Sequence, residues 1–308
     1  MKFFIKTIYL ILIISLFAFN TTFGFSRDIN IKYSKEEVSN YLSGSVSLSQ
    51  HNTKKSLNYF GKIKSLGKVH SNYNIKFIRS LILMKKFNEA FAFANSIWEE
   101  DKITFEVDLL LGLQAYIKND YKKAQTYFER LNNISSSNFL FEDFYGNILI
   151  SWIKASENKK IKSFEFLNRI PKRYDKLKAI QESFLHCYFD SPKTEVYFEK
   201  ILGKEDGSFS RYNYFLVNYL LSQKQDVAAK IFIHEKGESY NSPLLIRQIH
   251  NYIKKNKTKK ITSFFNCKTP KDSIAEIFYV IANLYSTQKD YQTSNFYLKI
   301  SLFLNNKF

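Results

Sequence analysis

Residues 107–131 read VDLLLGLQAYIKNDYKKAQTYFERL. Apolar and aromatic residues recur at helical spacing on both sides of the polar pair Asn119–Asp120: Val107, Leu110, Leu111 and Ala115 before it, and Tyr121, Ala124, Phe128 and Leu131 after it. Such spacing puts these side chains on one face of each helix. The segment therefore predicts two amphipathic helices joined by a short turn. Gly112 has no side chain, so we expect the partner helix to approach closely there.

The same template recurs every 34 residues, with small residues at Ser56, Ala90 and Ala124. A period of this length is typical of arrays in which one helical hairpin stacks on the next. Each hairpin buries its apolar face on its neighbours, so one array can run the whole length of a chain. We therefore predict an all-α fold, an α-solenoid of about eight antiparallel helix pairs.

The residues of the third pair resemble the tetratricopeptide repeat, whose pattern places Leu-Gly on the first helix and Tyr, Ala and Phe on the second. They are Leu111, Gly112, Ala115, Tyr121, Ala124 and Phe128. The resemblance returns near the C-terminus at Ala282, Tyr285, Tyr291, Ser294 and Leu298. Two features depart from the family pattern. Asp108 and Phe278 stand where it has tryptophan, and its closing proline is absent.

The clearest units are 71–104, 105–138 and 275–308, within a repeat domain of residues 25–308. Ser34 and Glu37 form a predicted capping box at the start of the first helix. That helix runs to about residue 50, and its partner follows residue 53 and ends near 67. The more degenerate pairs are predicted at 139–155 with 160–170, 174–189 with 192–202, 208–223 with 226–236, and 243–254 with 259–266. The last pair is 271–287 with 291–304.

Residues 1–24 have the pattern of a secretory signal peptide. Lys2 and Lys6 precede an apolar run, and Thr22 and Gly24 offer small residues for cleavage. The alternative is an uncleaved membrane anchor. We expect export, to a bacterial periplasm.

The net charge of +18 comes mainly from lysine, since few of the basic residues are arginine. Lysine, isoleucine, asparagine and phenylalanine are all abundant, which indicates an AT-rich genome rather than a nucleic-acid partner. The densest run, Lys254 to Lys260, is interpreted as a solvated loop, with contact to an anionic surface as the alternative. Cys187 and Cys267 are interpreted as two thiols, with one long-range disulfide as the alternative.

No motif for catalysis, a cofactor or a metal stands out. The five histidines are scattered, and no two are spaced as metal ligands on one helix. We therefore predict a protein without enzymatic activity or cofactor.

In the tetratricopeptide family the first helices of the pairs line a concave groove that binds a partner protein or peptide. The resemblance places these residues in that groove: Asn72, Arg79, Glu106, Leu113, Tyr116 and Asn283. Glu276 and Tyr279 take groove positions in the last pair as well. Arg79 and Tyr116 are the leading candidates, because Arg and Tyr are enriched in binding hot spots. The alternative for Tyr116 is packing against a neighbouring helix.

Three function classes follow. The first is an interaction scaffold or adaptor of the bacterial envelope. The second is a peptidoglycan-associated enzyme or carbohydrate-binding protein built on a helical superhelix. The third is a basic protein that binds anionic surfaces. Because no polar capping helix follows the last pair, we also expect its apolar face to be covered by another chain, through self-association, or by further repeats of a longer array.

Overall fold

The computed structural model describes residues 33–134, 143–202, 210–237 and 244–307. The α-helices in this part of the chain are α1 (Lys35–Ser49), α2 (Thr53–Gly61), α3 (Ser71–Leu83), α4 (Phe87–Ile97), α5 (Phe105–Ile117), α6 (Tyr121–Leu131), α7 (Tyr145–Ser156), α8 (Lys160–Asn168), α9 (Asp175–Tyr188), α10 (Thr194–Leu202), α11 (Ser210–Ser222), α12 (Asp226–Gly237), α13 (Leu244–Lys254), α14 (Lys259–Thr262), α15 (Pro270–Thr287) and α16 (Tyr291–Leu304). Short 3-10 helices lie at Lys64–Lys68 and Lys172–Tyr174. The all-α prediction is confirmed. The proposed signal peptide lies outside the described residues.

The chain divides into two compact units, residues 1–38 and 39–308. Of the first unit the structure describes residues 33–38. There the predicted capping box is present: the Glu37 N–H donates to Ser34 Oγ at 3.1 Å, and the Ser34 N–H donates to Glu37 Oε2 at 2.9 Å. All further description concerns the second unit.

Within the described residues, every odd-numbered helix joins the next helix through the same turn. In the third pair the Asn119 N–H donates to the Tyr116 carbonyl and the Asp120 N–H donates to the Ala115 carbonyl, both at 3.0 Å. This is the hydrogen-bond pattern of a Schellman cap, whose central residue is left-handed. The eight central residues, with φ between 50° and 63°, are His51, Lys85, Asn119, Asn158, Asp190, Lys224, Asn256 and Lys289. The repeat-like construction therefore extends through the pairs whose sequences are degenerate.

Small side chains at the helix crossings let the two helices of a pair approach closely. Ser56, Ala90 and Ala124, which define the 34-residue period, are fully buried. A methyl group on Gly112 would overlap the ring of Phe128, and one on Gly44 would overlap the ring of Phe60. The steric role predicted for Gly112 is therefore confirmed.

Several helix ends differ from the prediction. The second helix of the first pair ends at Gly61 rather than near residue 67, and the chain continues as the 3-10 helix. The second helix of the seventh pair ends at Thr262, four residues early. Here α14 is a single helical turn. Asn266 lies in the turn that follows, where its side-chain oxygen accepts from the Lys268 N–H at 2.9 Å.

Asp108, which stands where the tetratricopeptide pattern has tryptophan, is a buried carboxylate with several hydrogen-bond donors. It accepts from Arg130 Nε at 2.7 Å, from Trp98 Nε1 at 3.2 Å and from the Thr104 N–H at 3.2 Å. The Arg130 guanidinium also donates to the carbonyls of Glu99, Glu100 and Lys102. One ion pair thus ties α5, α6 and the preceding loop together.

Cys187 and Cys267 form a disulfide with a Cα–Cα distance of 5.9 Å, so the interpretation as two thiols is wrong. The two residues are 80 positions apart, which sequence spacing could not connect. The bond joins the end of α9 to the segment just before α15. It therefore tethers the last helix pair to the middle of the chain.

The last helix pair packs against earlier helices of the same chain. α16 contacts α3, while α15 contacts α7 and α9. The rings of Phe87 and Phe303 stack with centroids 3.9 Å apart, and those of Tyr145 and Tyr297 stack at 6.0 Å. The chain's own helices therefore cover part of this pair's apolar face, and self-association through it remains a prediction.

Candidate functional site

One predicted groove residue, Arg79 on α3, contacts the chain's own last helix. Arg79 forms an ion pair with the buried Glu106, with Nη2 and Oε1 2.8 Å apart. Arg79 Nη1 lies 3.5 Å from Thr293 Oγ1, and the guanidinium lies over the ring of Phe296 at 5.6 Å. In this arrangement α16 occupies, around Arg79, part of the surface that the family resemblance assigns to a partner.

Two further groove residues are buried within the helix array. Leu113 has 1% of its surface exposed and Tyr116 has 5%. The Tyr116 hydroxyl pairs with Ser156 Oγ on α7 at 2.8 Å, and burial raises the pKa of Tyr116. This is the packing role considered above as the alternative for Tyr116. Asn72 is exposed on α3. As partner contacts, these residues remain predictions.

A cleft of about 750 Å³ lies where α9, α11 and α15 come together. Its walls come from the start of α9 with the preceding 3-10 helix, the start of α11, and the second half of α15. The lining residues are Arg173, Tyr174, Lys176, Leu177, Ile180, Arg211, Tyr212, Tyr279, Val280, Asn283, Leu284, Thr287 and Gln288. Asn283 and Tyr279 are the predicted groove residues that the structure places in this cleft.

One end of the cleft is organised around Arg211. Its guanidinium donates to both carboxylate oxygens of Glu276 at 2.8 to 3.1 Å and stacks on the Tyr279 ring at 4.0 Å. Glu276 is fully buried; burial raises its pKa, and the adjacent guanidinium opposes that rise. The ion pair fixes Arg211 in place, because a planar fork held at two oxygens has little freedom left.

The rest of the cleft combines an apolar floor with a polar row. Leu177 and Ile180 on α9 face Val280 and Leu284 on α15 across the cleft. The polar row follows α15, at Asn283, Thr287 and Gln288. Clefts of this size and mainly apolar character, with a few placed polar groups, are typical ligand sites.

Sequence reasoning found the α15 side of the cleft and missed the other two sides. Tyr279 and Asn283 follow from the repeat pattern of the last pair. Arg211 and Leu177 lie in pairs whose sequences depart from that pattern, so no slot identifies them. The sequence offers one signal for these two sides of the cleft: Arg211 is an arginine in a chain whose cations are mostly lysine.

No cluster of His, Cys, Asp and Glu in the described part of the chain is arranged to hold a metal ion. Over the same residues, no helix has both the length and the apolar character needed to cross a bilayer. The chain matches no protein-family model and no curated protein sequence. The likeness to the tetratricopeptide repeat therefore depends on the residues quoted above.

Proposed function

We propose that this chain is a non-enzymatic interaction module that binds an extended segment of a partner protein in the cleft between α9, α11 and α15. The observation that carries the proposal is the cleft's composition. Its apolar floor can take a side chain of the partner, and the amides of Asn283 and Gln288 can pair with the partner's backbone. Recognition of a peptide by a groove on a helical scaffold uses these elements.

The proposed setting is the bacterial envelope, where the module would act as a scaffold or adaptor. Two observations support this. The first residues have the pattern of a signal peptide. The Cys187–Cys267 disulfide is of a kind that forms and persists in oxidising compartments such as the periplasm.

The cleft can be tested by photo-cross-linking in cells of the source organism. A photoreactive amino acid replaces Leu284, which lines the cleft with 36% of its surface exposed. The control position is Ile161 on α8, which is 76% exposed and lies outside the cleft. We expect a discrete adduct from position 284 and none from position 161.

The partner identified in the adduct would then be titrated against purified variants. We expect Leu284→Asp to weaken binding at least tenfold, because a carboxylate would enter the apolar floor, and Ile161→Asp to leave it unchanged. Equal cross-linking at the two positions, or equal affinities of the two variants, would show that the cleft is not the binding site.

A further inference from the structure

A second surface is strongly basic. Residues 244–271 carry eight basic side chains and no carboxylate. Five of them form the turn between α13 and α14, which we name the lysine turn: Lys254, Lys255, Lys257, Lys259 and Lys260. The nearest acidic residue after the segment, Asp272, is half-buried and accepts from the Asn266 N–H at 3.0 Å.

The backbone holds these lysines close together. The Lys257 N–H donates to the Tyr252 carbonyl at 2.7 Å, and the Lys260 N–H donates to the Lys257 carbonyl at 3.0 Å. Asn256, which directly precedes Lys257, has a left-handed backbone conformation with φ of 52°. The chain therefore reverses within the lysine turn, so its cations project from one compact region instead of spreading along a helix.

All five lysines are exposed, and none forms an ion pair with another described residue. Lys260 Nζ lies 5.6 Å from the centre of the Tyr252 ring, a contact that leaves its charge in place. Some lysines elsewhere do have carboxylates beside them, as in the pairs Lys86–Glu89 at 2.5 Å and Lys154–Glu157 at 2.9 Å. Positive charge is thus balanced locally on those surfaces and unbalanced at the lysine turn.

A further cation lies beside the turn. Lys307 Nζ donates to the Ser263 carbonyl, just after α14, at 2.7 Å. Residues far apart in the sequence therefore contribute to one basic surface. Tertiary packing, and not codon bias alone, brings Lys307 to this place.

We propose that the lysine turn binds the surface of a bilayer that contains anionic phospholipid. Clusters of four to eight cations are attracted by the negative potential of such a surface, and each lysine adds to the attraction. Lysine suits this role because its ammonium is a flexible point charge, whereas arginine favours fixed bidentate recognition. Export with a signal peptide or anchor would bring the chain to a membrane. This contact is separate from the cleft, so either proposal can fail without the other.

The test measures partition of the full exported chain onto vesicles of phosphatidylcholine, alone or mixed with an equal amount of phosphatidylglycerol. One variant changes all five lysines of the turn to glutamine. A matched control changes five exposed lysines elsewhere by the same total charge: Lys54, Lys55, Lys118, Lys122 and Lys123. Circular dichroism checks that both variants keep their helical content.

We expect the wild type to bind the mixed vesicles, with affinity falling as salt is added because ions screen the charges. The lysine-turn variant should bind at least tenfold more weakly than the control variant. Equal losses in the two variants would show that only net charge matters and would overturn the proposal. Binding to a soluble wall polyanion but not to the mixed vesicles would overturn it as well.

Discussion

The rings of Phe87 on α4 and Phe303 on α16 stack with their centroids 3.9 Å apart and their planes 13° from parallel. Close by, Arg79 and Thr293 meet although 214 positions separate them in the sequence. Through these contacts the last helix packs against the second helix pair. Around Arg79, the surface that a tetratricopeptide-like groove would offer to a partner is taken up by the chain itself.

The first prediction concerns the packing of Phe303 against Phe87. Phe303→Ala should lower the free energy of unfolding by about 1–3 kcal/mol, through lost apolar burial and the lost aromatic pair. Amides of α16 should exchange with solvent faster, as measured by hydrogen exchange. Tyr291→Ala is the control on the same helix, since the Tyr291 ring is exposed. Equal effects of the two variants would mean that the Phe87–Phe303 stack does not hold α16.

The second prediction separates sterics from helix propensity. In an exposed helix, Gly→Ala stabilises by up to about 1 kcal/mol. Gly112→Ala should instead destabilise by about 1–3 kcal/mol, because the added methyl would overlap the Phe128 ring. Gly61→Ala, where nothing lies within 4 Å, is the matched control and should be neutral or stabilising.

Urea unfolding measures both glycine variants. Adding Phe128→Leu to Gly112→Ala should recover part of the loss, since a smaller side chain leaves room for the methyl. If the stability losses of Gly112→Ala and Phe128→Leu simply added in the double variant, the glycine and the ring would not interact.

The third prediction concerns the disulfide. Cys187→Ala should lower the free energy of unfolding by about 2–4 kcal/mol, because the bond closes a long loop in the unfolded chain. Cys267→Ala and the double variant should lose the same amount, since each removes the same bond. Reducing the wild type with a dithiol should have a similar effect. Detection of two free thiols in the denatured, unreduced wild type would contradict the prediction.

The fourth prediction concerns pH. Burial, with Lys160 and Lys193 nearby, lowers the pKa of His186 to about 4, against about 6.5 in an unfolded chain. Between these values the unfolded chain binds the extra proton, so the stability that neutral His186 contributes is present above pH 6.5 and is lost as pH falls toward 4. His186→Phe keeps a ring against Tyr197, which stacks on His186 at 3.9 Å.

The measurement compares urea unfolding at pH 7 and pH 5. The wild type should lose more stability than His186→Phe over this interval, because the variant has no imidazole to protonate. If the variant lost as much stability as the wild type, groups other than His186 would account for the acid sensitivity.

The sequence predicted the helix pairs best where a pattern of small and aromatic residues marks the crossing. Gly112 with Phe128 and Gly44 with Phe60 are such crossings, and the structure confirms the steric role predicted for Gly112. The eight left-handed turn residues share no amino acid type that could reveal them, since they include His, Lys, Asn and Asp. Their common geometry comes from the helix end, where backbone groups must find partners whatever the side chain is.

By itself the sequence determined the all-α fold and the order of the helix pairs, because apolar spacing and turn residues act over a few neighbouring positions. Only the tertiary structure decided which surfaces stay open. It placed α16 over Arg79 and Glu106, joined Cys187 to Cys267, and assembled a cleft from Leu177, Arg211 and Tyr279. The physical reason is that these contacts depend on how small rotations between successive pairs add up, and local spacing does not encode that sum.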